Sequence, residues 1–257
     1  RRMLMTMRVH AEGCRALGQW VSRALDAEKH AADPEVRARA ADFVALMTPV
    51  VKALFTDMAS ENANLCVQSY GGHGYIREHG VEQFVRDARI CQIYEGTNGV
   101  QALDLVGRKM PANMGRSMRP FFHAVSNLCE TMAADPAVMA DKALAAQTAA
   151  LFQAFGALQL TTATVAQKAM KDPDEAGAAA TDYLRLLGLV GMGYTFLKAA
   201  RIATAKVAEG GEDADFYRAK LATAAFFFDR VLPQATLAFL VIKSGKRSTM
   251  ALAEDAF

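Results

Sequence analysis

The sequence has few cysteines and histidines, and their positions argue against several kinds of functional site. The four cysteines (Cys14, Cys66, Cys91 and Cys129) are far apart and form no CxxC pair, which argues against a disulfide framework and against a zinc site. The five histidines are scattered without metal-ligand spacing, so no metal site is expected. Reduced, mostly buried thiols are typical of a cytoplasmic protein, and we expect that location.

An excess of charge of one sign is also missing. The formal net charge of the 257 residues is only +2, which argues against a nucleic-acid-binding or membrane-binding surface. Charged residues interrupt the longest apolar runs and no secretory signal opens the chain, so we expect no membrane span. The sequence begins at Arg1, in the middle of an amphipathic pattern, and we therefore expect a piece of a longer protein.

Alternating apolar and polar runs, which are typical of strands, are nearly absent, while alanine, leucine and long charged side chains are frequent. The composition and the spacing of apolar residues predict an all-α protein. Stops are expected at Asp33-Pro34, Gly71-Gly72 and Gly210-Gly211, and Thr97 is a candidate helix N-cap. Thr48-Pro49 is expected either to kink a helix or to restart it.

The chain divides into three parts. Residues 1–110 are predicted to form a helical domain that resembles a four-helix bundle, and residues 111–120, rich in proline and glycine, to form a linker. Residues 121–257 consist of long Ala- and Leu-rich segments, which predict a second antiparallel helical bundle.

Two loops are candidates for chemistry: "QSYGGHGY", residues 68–75, and "IYEGTNG", residues 93–99. The first loop is explained by spacing alone as a helix stop, although its glycine backbone also suits the approach of a pyrophosphate. In the second loop, Glu95 is explained either as a charge that stabilises the start of the next helix or as a base. His73 and the pair Arg86-Asp87 have ordinary structural explanations, as a hydrated side chain and an ion pair.

Together the two loops, with "RDAR" between them, resemble the C-terminal helical domain of the acyl-CoA dehydrogenases. The resemblance runs without gaps from Gln68 to Gln101 and extends more loosely back to residue 3. The part after "DLVGRKM" is similar to the extra helical domain of a longer subgroup of this family, which includes the 3-methylmercaptopropionyl-CoA dehydrogenases.

The resemblance implies an FAD-dependent oxidoreductase that converts an acyl-CoA to the trans-2-enoyl-CoA. Glu95 aligns with the base that removes the α-proton, and Gly96 and Tyr94 align with substrate-contacting positions. A carboxylate with an ordinary pKa is a weak base, so an apolar wall is expected around it, with Ile90, Ile93 and Tyr94 as candidates.

The resemblance also implies two groups of residues that contact FAD. The positions are Gln68, Ser69, Tyr70, Gly71 and Gly72 in the first loop and Thr97, Asn98 and Gly99 in the second. In this family the first group commonly meets the FAD of a neighbouring subunit, which implies a homo-oligomer, a dimer or a tetramer. The implied electron acceptor is an electron-transferring flavoprotein.

Two other functions stay open from the sequence. One is a non-catalytic helical module for oligomerisation or assembly that keeps the loops as a scaffold, and the other is an acyl-CoA oxidase. The N-terminal helical domain and the middle β-domain of the family are not in these 257 residues. We therefore expect that this chain alone neither retains FAD tightly nor turns over acyl-CoA.

Overall fold

The computed structural model describes residues 1–256, which form helices and turns and no strand. The all-α prediction is therefore confirmed. Within this range the α-helices are α1 (Arg2–His30), α2 (Pro34–Tyr70), α3 (Gly72–Tyr75), α4 (Gln83–Cys91), α5 (Asn98–Asp104), α6 (Ala112–Gly115), α7 (Arg119–Ala134), α8 (Pro136–Ala140), α9 (Lys142–Ala169), α10 (Pro173–Glu209), α11 (Ala214–Phe226) and α12 (Gln234–Ser244). Two π-helical segments and three 3₁₀ turns complete the chain: Leu105–Lys109, Phe227–Val231, Arg77–His79, Arg116–Met118 and Glu254–Ala256.

Helices α1 and α2 form the long hairpin of the first bundle. The turn between them follows from Asp33, whose side chain accepts a hydrogen bond from the backbone N–H of Glu35 at 2.8 Å, and from Pro34 in the first helical turn. Helix α2 then runs through the buried Pro49 to Tyr70 as one element. The alternative that the helix restarts at Pro49 is therefore wrong, because packing on both sides of the proline keeps the helix continuous.

The middle of the chain consists of the short helices α3, α4 and α5, which pack against α2. Helix α4 is short, and the predicted stop at Gly71 is confirmed at a φ of 63°. Thr97 is the N-cap of α5, since its hydroxyl oxygen accepts from the N–H of Val100 at 3.2 Å. Helix α5 continues directly into the π-helical segment 105–109.

The segment predicted as a linker, residues 111–120, is an ordered connection. Asn113 and Met114 have positive φ angles of 50° and 56°, and Ser117 and Met118 are buried. The connection therefore contributes side chains to the core and leads directly into α7.

The remaining helices form the predicted second antiparallel bundle. The Ala- and Leu-rich segment 136–170 is divided at Asp141, whose side chain caps α9 by accepting from the N–H groups of Ala143 and Leu144. The segment 213–240 is divided by the π-helical segment 227–231. Phe257, the last residue of the predicted domain, lies outside the described residues.

Helix α10 joins the two bundles. It packs against α1, α2 and α5 of the first bundle and against α7, α9, α11 and α12 of the second. Leu187 on α10 is fully buried, and a Cβ placed on Gly188 would lie 2.7 Å from a methyl group of Leu54 on α2. One continuous hydrophobic core therefore extends from Val9 to Ile242.

Four helical stretches are long and apolar enough to cross a membrane by length and composition: Pro34–Tyr70, Lys142–Ala169, Pro173–Glu209 and Ala214–Ser244. The expectation that charges interrupt every apolar run before spanning length is therefore wrong. In the fold 67% of the apolar window in Pro173–Glu209 is buried inside the protein, whereas the other three windows are buried to 44%, 33% and 39% in chain order.

Candidate functional site

The loop after α4, residues 92–97, makes a sharp turn that places Glu95 at its outer edge. The carbonyl of Ile90 accepts the N–H groups of Ile93 and Tyr94 at 3.0 and 3.1 Å, which ends α4. Glu95 then has a φ of 52° and Gly96 a φ of 83°. A non-glycine residue at positive φ is strained by about 1–3 kcal/mol and persists only where its surroundings hold it.

Side chains of α2 hold this loop in place. The ammonium group of Lys52 donates to the carbonyl of Gly96 at 2.7 Å and to Oδ1 of Asn98 at 2.9 Å. The amide of Asn98 donates to Oδ1 of Asp57 at 2.7 Å, and the side chain of Gln92 donates to the same oxygen at 2.6 Å. Both ends of the loop are therefore anchored, on either side of Glu95.

The carboxylate of Glu95 is left free by this arrangement. Glu95 is exposed, and among residues 1–256 its carboxylate has no hydrogen bond and no ion pair. The N-terminus of α5 is capped by Thr97 and not by Glu95. The interpretation of Glu95 as a helix-end charge thus reduces to its interaction with the helix dipole, typically worth about 0.3–1 kcal/mol.

The candidate apolar wall faces solvent in this chain. Ile90, Ile93 and Tyr94 are 50%, 49% and 49% exposed. The hydroxyl of Tyr94 lies 3.3 Å from Sγ of Cys91, and this hydrogen bond raises the pKa of the tyrosine. These side chains form one side of a site. A dry environment around Glu95 requires that a ligand or another part of the protein covers them.

Gly96 has a second reason to lack a side chain besides its φ angle. A Cβ at this position would lie 2.7 Å from Nε2 of Gln101, which itself donates to the carbonyl of Glu95 at 3.4 Å. The absence of a side chain therefore serves the fold of the loop as well as the predicted approach of an acyl group.

The first glycine loop lies at the other end of α2. Gln68, Ser69 and Tyr70 form the last turn of the helix, and the hydroxyl of Ser69 donates to the carbonyl of Leu65 at 2.8 Å. The N–H of Gly71 donates to the carbonyl of Gln68 at 3.2 Å, as in a helix stop. A Cβ on Gly71 or Gly72 would meet nothing within 4 Å, so the backbone there is open to an approaching group.

The structure does not bring the two predicted FAD-contacting groups together. Thr56, at the anchor of the second loop, precedes Gln68 by twelve residues on α2, which corresponds to about 18 Å along a helix. Gly99 is nearly open, whereas the side chain of Asn98 is engaged with α2. The open glycine backbones fit the approach of an extended cofactor. In one chain they lie at two separate places, at the first glycine loop and at Gly99.

Other expected features have ordinary structural roles. The ring of His73 lies edge-on to that of His79, with centroids 5.3 Å apart. Asp87 accepts from the side chain of Gln83 at 2.8 Å, and within residues 1–256 no ion pair joins it to Arg86, because adjacent residues on a helix do not face each other.

Thiol and metal sites gain no support from the geometry. The cysteines are free, and burial raises the pKa of Cys14 to about 12 and that of Cys129 to about 11, which keeps both as thiols at neutral pH. In the part of the chain that the structure describes, no group of three or more His, Cys, Asp or Glu side chains is placed to hold a metal ion.

Four residues of the loop anchor were missed in the sequence: Lys52, Thr56, Asp57 and Gln92. A weak signal was present, since Lys52 is a single charge inside the apolar run "VALMTPVVKALF" of α2. Thr56 and Asp57 follow at helical spacing, so a polar stripe on an otherwise apolar helix marks the surface on which the loop lies.

Comparison with known proteins gives the family. The profile described as "Acyl-CoA dehydrogenase, C-terminal domain" matches residues 1–111, and the profile described as "Acetyl-CoA dehydrogenase C-terminal like" matches residues 121–253. The 3-methylmercaptopropionyl-CoA dehydrogenase of Ruegeria pomeroyi is 40% identical over 238 residues, which are 92% of this chain and 39% of that protein. The chain thus spans well under half the length of this relative.

Two solved structures share the fold. Caenorhabditis elegans ACDH-11 in complex with C11-CoA matches with a TM-score of 0.72 at 19% identity, over 90% of this chain and 36% of that chain. An acyl-CoA dehydrogenase from Bacillus anthracis complexed with FAD matches with a TM-score of 0.69 at 17% identity, over 97% of this chain and 42% of that chain. With both of its helical parts matched and the IYEGTNG loop held on α2, the chain belongs to the acyl-CoA dehydrogenase family.

Proposed function

We propose that this chain supplies the catalytic base of an FAD-dependent acyl-CoA dehydrogenase. Glu95 removes the α-proton of a bound acyl-CoA, and the product is the trans-2-enoyl-CoA. Because the chain spans 39% of the length of its Ruegeria relative, the activity is assigned to the enzyme that contains this chain. The names of that relative and of the C11-CoA complex support acyl-CoA as the substrate class.

One observation carries the proposal: Glu95 is held at a φ of 52° in a loop anchored on both sides, while its carboxylate has no partner among residues 1–256. The strain at Glu95 therefore does not serve a contact of its carboxylate with the rest of the described chain. The strained turn does hold the carboxylate at a fixed position, which a general base requires, because the base must lie within hydrogen-bond reach of the proton that it takes.

The reaction requires a dry environment around that base. The α-proton next to a thioester is weakly acidic, and a solvated carboxylate is a poor acceptor for it. Ile90, Ile93 and Tyr94 present apolar surface beside Glu95, and the acyl chain of the substrate would cover that surface. Loss of water would then remove the solvation of the carboxylate and make it a stronger base.

A bound flavin would supply the acceptor for the hydride that leaves the β-carbon. Thr97, Asn98 and Gly99 would meet it beside the base, and Gln68 to Gly72 would contact its adenosine-pyrophosphate part through open backbone. The first group lies at the end of α2, whereas the second is anchored on the middle of that helix. This separation supports contact with two FAD molecules in a homo-oligomer, a dimer or a tetramer. An electron-transferring flavoprotein as acceptor and a cytoplasmic location, without a membrane span, complete the proposal.

Replacement of Glu95 by Gln tests the base directly. We expect kcat to fall by about 10²–10⁴-fold, the usual contribution of a general base, with FAD still bound. Glu78→Gln is the matched control, because Glu78 is an exposed glutamate of the same region with no ion pair within residues 1–256.

Other outcomes distinguish the alternatives. Unchanged turnover in Glu95→Gln would contradict the proposed base, and absence of turnover in the unmodified FAD-loaded enzyme would favour the assembly module. Hydrogen peroxide formed without an added electron acceptor would instead identify an acyl-CoA oxidase.

A further inference from the structure

A cleft between α1, α2, α7 and α10 lies away from the base loop. Its volume is about 1110 Å³, and it opens where the part of the chain matched by the first family profile meets the part matched by the second. Phe43, in its wall, precedes Lys52 by nine residues on α2, about 14 Å along a helix. Junctions between domains are common places for small-molecule sites.

The inner wall of the cleft is aromatic. Trp20, the single tryptophan of the chain, stacks on Tyr194 with ring centroids 4.2 Å apart, and its centroid lies 4.7 Å from that of Phe43. Trp20 also stacks on Phe121, with ring centroids 5.8 Å apart, so the faces of Trp20 are largely covered. Trp20 and Tyr194 are only partly buried, and their edges line the cleft. Alanines from all four helices line the remainder and leave room for a flat ring.

The rim of the cleft is basic. Five arginine or lysine side chains line it (Arg23, Arg39, Arg116, Arg119 and Lys198), against two carboxylates, Glu35 and Asp42, and the imidazole of His123.

Both carboxylates already have cationic neighbours. Arg116 binds Asp42 at 2.9 and 3.2 Å, and Glu35 lies 3.5 Å from Arg39.

Three cations on three different helices are left without a carboxylate within residues 1–256: Arg23, Arg119 and Lys198. The ammonium group of Lys198 lies 5.2 Å from the ring centre of Tyr194, over the aromatic wall. Like charges that converge on one cleft repel each other unless an anion lies between them.

We propose that this cleft binds a nucleoside phosphate. The base packs against the edges of Trp20 and Tyr194, and the phosphate groups interact with Arg23, Arg119 and Lys198. Arginine is well suited to phosphate because its planar group donates two parallel hydrogen bonds, and the face of a nucleobase can pack on the positive edge of an aromatic side chain. The ligand is a free nucleotide or the nucleotide end of a larger molecule.

Calorimetric titration of ADP into the FAD-loaded enzyme that contains this chain tests the site. We expect saturable binding that Arg23→Glu weakens by at least about tenfold, the effect of losing one charge-assisted contact. Arg15→Glu is the matched control, because Arg15 is an exposed arginine of the same helix, outside the cleft and without an ion pair in the described part of the chain. It should bind ADP as the unmodified enzyme does.

Lys198→Glu, on α10, should give the same loss as Arg23→Glu, so a folding defect in one variant does not decide the test. Pyrophosphate should bind at least about tenfold more weakly than ADP, because it has no base to pack against the aromatic wall. A parallel titration with CoA identifies the source: if Arg23→Glu weakens CoA as it weakens ADP, the ligand is the nucleotide end of a larger molecule, and if only ADP is weakened it is a free nucleotide.

The proposal is overturned by any of three results. They are no saturable binding of ADP, equal affinity in both cleft variants and the control, or pyrophosphate binding as tight as that of ADP. None of these readouts depends on turnover, so the proposal stands or falls separately from the role of Glu95.

Discussion

At the scale of single residues, the geometry of the base loop depends on two consecutive positions with positive φ angles, Glu95 and Gly96. Only the second is a glycine. A left-handed conformation costs a residue with a Cβ about 1–2 kcal/mol, so the loop already carries that strain at Glu95. A second residue with a Cβ in the same turn would add to it.

We expect Gly96→Ala to lower the free energy of unfolding by about 1–2 kcal/mol, because φ is 83° and the new Cβ would crowd Nε2 of Gln101. Turnover should fall as well, since the carboxylate of Glu95 moves with the loop. Chemical denaturation and kcat measure the two effects. Gly156→Ala is the control, because that glycine lies in α9, away from the base loop, and a Cβ there would meet nothing within 4 Å. Equal effects in both variants would contradict this account.

At the scale of elements, α2 is the scaffold of both candidate loops. Its middle carries Lys52, Thr56 and Asp57, which hold the base loop, and its end forms the first glycine loop. Lys52 is a positioning residue in this arrangement, because its ammonium group bonds the loop and not the expected substrate.

Lys52→Met should remove both contacts and keep most of the apolar stem. A displacement of the base by about 1 Å can cost about a hundredfold in rate, so we expect kcat to fall strongly with a much smaller change in KM. Steady-state kinetics measures this split. Lys171→Met, at an exposed lysine with no ion pair among residues 1–256, is the control and should leave kcat unchanged. A loss confined to KM would contradict the positioning role.

At the scale of the whole molecule, the two bundles share one core through α10. Family profiles match the two parts separately, at residues 1–111 and 121–253. The core nevertheless runs through both, so the free energy of unfolding of one part should depend on side chains in the other.

Leu187→Ala tests that dependence at a fully buried position of α10. A buried leucine truncated to alanine costs about 2–5 kcal/mol, and amide hydrogen exchange should accelerate in α2 and in α9 together. Leu237→Ala, at a side chain that is 63% exposed, should change the free energy of unfolding by no more than about 0.5 kcal/mol. Faster exchange in α9 alone would show that the bundles unfold independently.

The sequence predicted well the features that depend on neighbours along the chain. The helix start at Asp33-Pro34, the stop at Gly71 and the cap at Thr97 all follow from contacts within about four residues, which a linear pattern contains. The continuity of α2 through Pro49 was not predictable in this way. Packing along the helix outweighs the local cost of the proline there.

The sequence by itself determined the all-helical fold and, through two short motifs, the family and the candidate base. Only the tertiary structure decided how that base is held. Lys52 and Asn98 are 46 residues apart, and no local pattern pairs them. It also decided that the two glycine loops lie at separate places along α2 and that Trp20 and Tyr194 form one wall of a basic cleft. The physical reason is that such contacts exist only after distant helices pack, whereas caps and helical periodicity act between neighbours.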